Sequence, residues 1–130
     1  MKTGLLVLGH GSKAAEADEI FAKIVDRVRE ISSFEHVASG SLQLSRPTFA
    51  EGVQRLLDEG VREMVVMPMF IFSGNHVKFD IPEELEALRR AHPGVRFVMT
   101  GPIGADARLA DIIEERAREA RQALDGRTGS

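Results

Sequence analysis

Apolar and polar positions along the chain fall into two alternating patterns. Short apolar runs occupy residues 4–9, roughly 36–44, 64–67 and 95–100. Short runs of this kind, bounded by turn signals, read as buried strands. Between them the apolar residues recur at i, i+3, i+4 and i+7, the spacing of one helix face. Ala17, Ile20, Phe21, Ile24, Val25, Val28 and Ile31 form the first such stripe. Phe49, Val53, Leu56 and Leu57 form the second, with Pro47 suited to its first turn and Gly60 to its C-terminal cap. Asp80-Ile81-Pro82-Glu83 reads as a capping box that opens a third helix through Leu85 and Leu88. His92-Pro93-Gly94 stops it. Leu109, Ile112, Ile113, Ala117, Ala120 and Leu124 mark the fourth, and residues 125–130 read as a frayed tail.

The order is therefore β-α-β-α-β-α-β-α. Alternation with continuous apolar strands predicts an α/β fold, a four-stranded parallel sheet with helices on both faces. Ligands of such sheets bind beyond the carboxyl ends of the strands. Strand direction alone places four stretches at that rim: 9–12, 43–47, 68–78 and 101–104. The loops near Ser32-Ser33, Gly60 and His92-Pro93-Gly94 fall on the opposite edge.

Length and composition narrow the class. The 130 residues fit one domain spanning 1–130. The chain is 43% hydrophobic and 28% charged, an ordinary globular balance. No apolar run approaches a membrane span of ~20 residues, and Gly9-His10-Gly11 breaks a leader-like reading of the N-terminus. There is no cysteine, hence no disulfide or thiolate chemistry. The net charge of −3, with both signs dispersed, argues against nucleic acid as a partner. We expect a cytoplasmic protein with no membrane partner.

Two of the four histidines, His10 and His76, fall on the ligand rim. Each alone has an ordinary reading: His10 bonding a strand-end carbonyl, His76 exposed in a loop. Together on one rim they suggest metal binding or proton transfer, because imidazole titrates near neutral pH and ligates divalent ions when neutral. The segment after the third strand, Pro68-Met69-Phe70-Ile71-Phe72-Ser73-Gly74, is unusually apolar for a loop. Phe70 and Phe72 suit a wall for a flat apolar ligand, or equally a plug for the core or a contact with another subunit. Pro68 should end the regular strand. Gly9-His10-Gly11-Ser12 is expected to open a helix, whose free amides and dipole attract carboxylates. Lys13, Arg46 and Lys78 add positive charge at this rim, each also readable as ordinary surface charge. Gly9 and Gly11 flank His10 without side chains, which suits the approach of something large beside it.

These motifs resemble those of the small sirohydrochlorin chelatases of the CbiX/SirB type. The resemblance runs through LLVLGHGSK, GVREMVVMPMFIFSGNHVKFDIPEEL and TGPIGADARLADII, nearly the whole chain. Its most specific part pairs GHGS after the first strand with FSGNHVKFDIP after the third. It implies a chelatase-like (flavodoxin-like) three-layer α/β/α fold, with short chains pairing as homodimers around a cleft. It implies insertion of a divalent metal into the tetrapyrrole sirohydrochlorin for cobalamin or siroheme. Cobalt comes first, with iron or nickel as the other ions, and the metal is a substrate with no organic cofactor. His10 and His76 match the metal-binding pair. Ser73 and Gly74 fall in the same matching segment as His76. Gln43 stands where the family often has a glutamate, leaving at most a neutral third contact.

Two imidazoles at one rim could hold the ion, accept the pyrrole protons, or both. Two other readings use the same residues. A non-catalytic metal or tetrapyrrole carrier would share the rim but not turn over. A phosphohistidine enzyme would require an arginine immediately before the histidine, where this chain has Gly9.

Overall fold

Two central strands, both nearly continuous in apolar residues, organise the sheet. The computed structural model describes residues 2–71, 74 and 76–126, and of His76 and Val77 the backbone alone. β1 (Lys2–Gly9), β2 (His36–Ser41), β3 (Val61–Pro68) and β4 (Arg96–Met99) pair in parallel in the order β2-β1-β3-β4. Helices α1 (Ala15–Ile31), α2 (Phe49–Asp58), α3 (Ile81–Ala91) and α4 (Ala107–Asp125) follow the strands in turn. A π-helical turn, His76–Asp80, runs directly into α3.

Side-chain alternation along each strand divides the core between the two faces. Leu6, Leu8, Met64, Val66 and Phe97 point to one face and meet Phe49, Val53 and Leu56 of α2 and Ile81 and Leu85 of α3. Val7 and Val37 point to the other and meet Phe21, Val25 and Val28 of α1. The expected α/β architecture is thus present, but its two faces are unequally covered. Val25 is the one buried residue of α1, and no residue of α4 is buried. The apolar stripe of α4, expected to join the core, lies exposed.

Several boundaries differ from the sequence reading for identifiable reasons. β2 ends at Ser41 rather than 44, because the backbone turns at Leu44 (φ +64°) and Gln43 and Leu44 are exposed. β3 starts three residues early. Its charged first turn is accommodated by pairing: Glu63 accepts from Arg96 at 3.0 Å and from the Thr3 hydroxyl at 3.1 Å. Pro68 does end that strand. α1 begins at Ala15, so Gly9-His10-Gly11-Ser12 is a turn that precedes the helix rather than its first residues. Asp80 makes no side-chain cap, because the chain enters α3 already helical.

Pro47 lies before the N-cap of α2 rather than in its first turn, and the cap is Thr48. The Thr48 hydroxyl accepts from the Glu51 amide at 3.2 Å, and the Glu51 carboxylate accepts from the Thr48 amide at 2.8 Å. This reciprocal box satisfies two amides that the helix itself leaves open. Thr48→Ala is expected to cost about 1 kcal/mol of stability, read as a lower urea midpoint at unchanged slope. An unchanged midpoint would show that water replaces the cap without loss.

No helix among the described residues is long and apolar enough to cross a membrane.

Candidate functional site

The strand order reverses direction between β1 and β3: the chain leaves β1 toward β2, then returns past it to β3 and β4. Loops after β1 and β3 therefore diverge, and a crevice opens at their carboxyl ends. A cleft of about 230 Å³ lies there. The turn after β1 lines it with Gly9, His10, Gly11 and Ser12, α1 with Ala17, Asp18 and Phe21, β2 with Ser41, and the segment after β3 with Met69 and Phe70.

His10 is exposed at the mouth of this cleft. Its Nδ1 lies 3.2 Å from the Gly11 carbonyl, and its ring stands edge-on to Phe70, with centroids 5.9 Å apart at 73°. Phe70 is half-buried and packs on the core, so its ring serves the core and the cleft together. The Met69 amide donates to the Leu8 carbonyl at 2.8 Å, which fixes this segment against the end of β1. Ile71 is exposed.

The glycines flanking His10 have a structural cause within the chain itself. A Cβ on Gly9 would lie 2.9 Å from the ring of Phe21. Gly11 has φ +89°, and a Cβ there would sit 1.6 Å from the carbonyl oxygen of Gln43. The missing side chains make room for the protein's own Phe21 and for the Gln43 backbone. Gln43 is thereby brought beside His10, its amide donating to the His10 carbonyl at 3.3 Å, while its side chain is exposed.

The expected anion site at the start of α1 is largely filled by the chain itself. The Ser12 amide donates to the Ser45 hydroxyl at 2.9 Å, and the Ala14 amide to the Ser12 hydroxyl at 3.0 Å. Glu16 and Asp18 already place negative charge in the first turn. Ser45 is buried, and its hydroxyl proton lies within reach of Asp18 Oδ1 at 2.8 Å and of the Ser12 carbonyl at 3.0 Å. This link fixes Asp18 in the cleft wall. Sequence reasoning does not single out Asp18, Phe21 or Ser45. Ser45 sits in a rim stretch, but a lone serine there carries no signal, and Phe21 reads only as one member of a helix stripe.

Of the three rim cations, Arg46 is held by Glu51 at the start of α2, with its Nε donating at 3.2 Å and its Nη2 closing the pair. Arg46 in turn holds the Glu51 carboxyl down at about 2, with help from the Thr48 backbone. Lys13 and Lys78 are exposed, and neither lines the cleft. Gly74 accepts from the Lys78 amide at 3.1 Å and also stands outside it. The His76 backbone begins the π-helical turn. Its side chain, and Phe72 and Ser73 altogether, lie outside the described residues. Among the described residues no three His, Cys, Asp or Glu side chains gather as a metal-holding group.

Comparison with known proteins agrees along almost the whole chain. The family model described as CbiX matches residues 4–120. The sirohydrochlorin cobaltochelatase of Methanothermobacter thermautotrophicus is 34% identical, with 92% of this chain and 93% of that protein covered. A crystal structure of a putative cobalamin biosynthesis CbiX protein from Marinobacter aquaeolei superposes with a TM-score of 0.78 at 30% identity, covering 92% of this chain and 98% of that one. The cobalt complex of the sirohydrochlorin chelatase SirB from Bacillus subtilis superposes with a TM-score of 0.88 at 27% identity, covering 92% of this chain and 51% of SirB. With a matching family model over most of its length and a relative above 30% identity, the chain belongs to the CbiX family.

Proposed function

We propose that this protein is a sirohydrochlorin chelatase, inserting a divalent metal into that tetrapyrrole. The observation that carries the reading is His10 at the mouth of an apolar-walled cleft at the β1/β3 switch point, edge-on to Phe70, in a chain of the CbiX family. Cobalt is the first metal to assign, since the cobaltochelatase relative and the cobalt-bound SirB both carry it in their names. Iron and nickel are the alternatives.

The chemistry has three requirements, and each has a candidate on the rim. The ion must be presented to the ring centre: neutral imidazoles of His10 and His76 bind a divalent ion without closing its coordination, so four ring nitrogens can displace them. Two pyrrole protons must leave: an imidazole accepts protons near neutral pH. The macrocycle must be held: Phe70 offers the apolar wall, with Phe72 as the second candidate. Ser12, Ser73, Gly74, Lys13 and Lys78 remain candidates for the ring carboxylates, and Arg46 would first have to leave Glu51. Gln43 contributes at most a neutral carbonyl contact. The protein acts in the cytoplasm as a pair of copies, without an organic cofactor.

Anaerobic absorbance with sirohydrochlorin and Co²⁺, Fe²⁺ or Ni²⁺, corrected for spontaneous insertion, tests this directly. Many turnovers per chain are expected with one ion. Ring binding with no turnover for any ion would replace the enzyme by a carrier.

A further inference from the structure

Two ionisable side chains stand among the described residues that line the cleft, His10 and Asp18. The imidazole already has a part in the chemistry, and the carboxylate has none. Glu16 and Glu19, on the same end of α1, do not line the cleft. Gln43, brought beside His10 by its backbone, is neutral. Asp18 is therefore the one negative charge among the described residues of the cleft wall.

Asp18 is exposed, so an incoming ion can reach it, but its carboxylate is anchored from within. Its Oδ1 accepts from the Ser45 hydroxyl at 2.8 Å, and Ser45 is only 7% exposed. That hydroxyl has its other partners in the turn after β1. Its oxygen accepts from the Ser12 amide at 2.9 Å, and the Ser12 carbonyl, at 3.0 Å, competes with Asp18 for its one proton. A carboxylate is the stronger acceptor, so the proton goes to Asp18. Gln43, in the same loop as Ser45, donates its amide to the His10 carbonyl at 3.3 Å. One frame thus holds both the turn that carries His10 and the Asp18 carboxylate. The kind of partner matters. Glu51, Glu63 and Asp106 each meet an arginine, which cancels their charge. Asp18 meets a neutral hydroxyl, and among the described residues no cation pairs with it and no donor meets its Oδ2. Ser45 fixes the carboxylate and leaves its negative charge uncompensated.

We propose that Asp18, fixed by Ser45, draws the divalent ion into the cleft and holds it beside His10 before the tetrapyrrole arrives. This rests on the reading of the protein as a chelatase and names a residue for the entry of the metal. A ligating imidazole is neutral, so His10 alone exerts no net Coulomb pull on a divalent cation. Asp18 supplies that pull. A space of about 230 Å³ is about 8 Å across, within one screening length at physiological salt. Its walls at Ala17, Phe21, Met69 and Phe70 are apolar and screen little. An oxygen and a nitrogen donor suit a divalent transition metal, and they fall short of the closed set of four protein ligands that retains a structural ion. Water keeps the remaining positions, and the ring nitrogens displace it. The same charge acts oppositely on the ring: it repels the carboxylates of sirohydrochlorin and turns them away from the α1 wall. The single charge of Asp18 therefore assists one substrate and gives no help to the other.

Asp18→Asn tests this, because asparagine keeps the shape and still accepts from Ser45 while losing the charge. The full-length wild type and the variant are titrated with Co²⁺ by calorimetry, with no tetrapyrrole present. Both are then assayed for insertion with each substrate varied in turn. Co²⁺ binding by Asp18→Asn is expected to be weaker by about tenfold, the lower end of what losing a supporting group costs a metal site. The KM for Co²⁺ should rise with it, the KM for sirohydrochlorin should not rise, and the circular dichroism should be unchanged. Asp18→Glu, which restores the charge on a longer stem, should recover most of the Co²⁺ binding. Wild-type Co²⁺ affinity in Asp18→Asn would take Asp18 off the path of the metal. Equal rises in both KM values, with no recovery in Asp18→Glu, would reduce Asp18 to a brace for the loop. A wild-type chain that binds no Co²⁺ before the ring is added would also overturn the proposal. The chelatase reading is judged separately. Wild-type turnover with unchanged Co²⁺ affinity in Asp18→Asn would keep the enzyme and remove Asp18. A tenfold loss of Co²⁺ binding in Asp18→Asn, with no turnover by the wild type, would keep Asp18 as a contact for the ion and replace the enzyme by a carrier.

Discussion

His10→Ala is expected to lower kcat for metal insertion by at least ~100-fold at saturating metal, the smaller end of what a positioned acid–base group supplies. The imidazole is the titratable group that the turn after β1 delivers to the cleft mouth. Its side chain is exposed and stands edge-on to Phe70, so its loss opens no buried cavity and the fold should survive it. An unchanged melting midpoint should therefore accompany the lost activity. Two readouts separate the roles open to His10. If it presents the ion, raising the metal concentration recovers part of the rate. If it removes the pyrrole protons, metal does not help, and imidazole added to the solution recovers part of the rate. His92→Ala, at the opposite edge of the sheet where His92 caps α3, should leave the rate unchanged. Full activity of His10→Ala at saturating metal would take His10 out of the reaction and leave His76 as the remaining rim histidine.

The position of this site was legible in the sequence because it depends on the direction of parallel strands and little else. Four apolar runs separated by helical stripes dictate which loops share an edge, and His10 and Phe70 fall on that edge without any knowledge of their contacts. What the sequence hid depends on close approach between loops. The reason for Gly11 is the Gln43 carbonyl, 32 positions away, and no local pattern announces that contact. The same closeness consumes the Ser12 amide through Ser45, so an anion site that looks open in sequence is occupied by the chain's own hydroxyls. Arg46 reads as a free rim cation, yet Glu51, five residues on, takes it for the start of α2. The apolar stripe of α4 was equally plain, but periodicity states only that a helix has an apolar face. It does not state what that face covers.

Gly11→Ala should damage both the fold and the site, because one contact serves both. At φ +89° an alanine costs ~1–2 kcal/mol from its own backbone. The greater penalty is steric: the new Cβ would stand 1.6 Å from the Gln43 carbonyl oxygen, a backbone atom that no rotamer change can move. The loop holding Gln43 and Ser45 must therefore shift. With it go the Gln43 amide bond to the His10 carbonyl and the Ser45 bonds to Ser12 and Asp18. Taken together a loss of about 2–4 kcal/mol is expected, a large part of the roughly 5–15 kcal/mol that holds a domain of this size. Chemical unfolding measures it, with Gly94→Ala as the control, since a Cβ at Gly94 meets nothing within 4 Å and should change stability by less than ~0.5 kcal/mol. Insertion activity should fall even at temperatures where Gly11→Ala remains folded, because the displaced loop carries the partners that orient His10 and Asp18. An alanine variant with the wild-type midpoint and rate would mean that the turn after β1 and the Gln43 loop are not in contact. The explanation of the glycine beside His10 would then return to the space it leaves for a ligand.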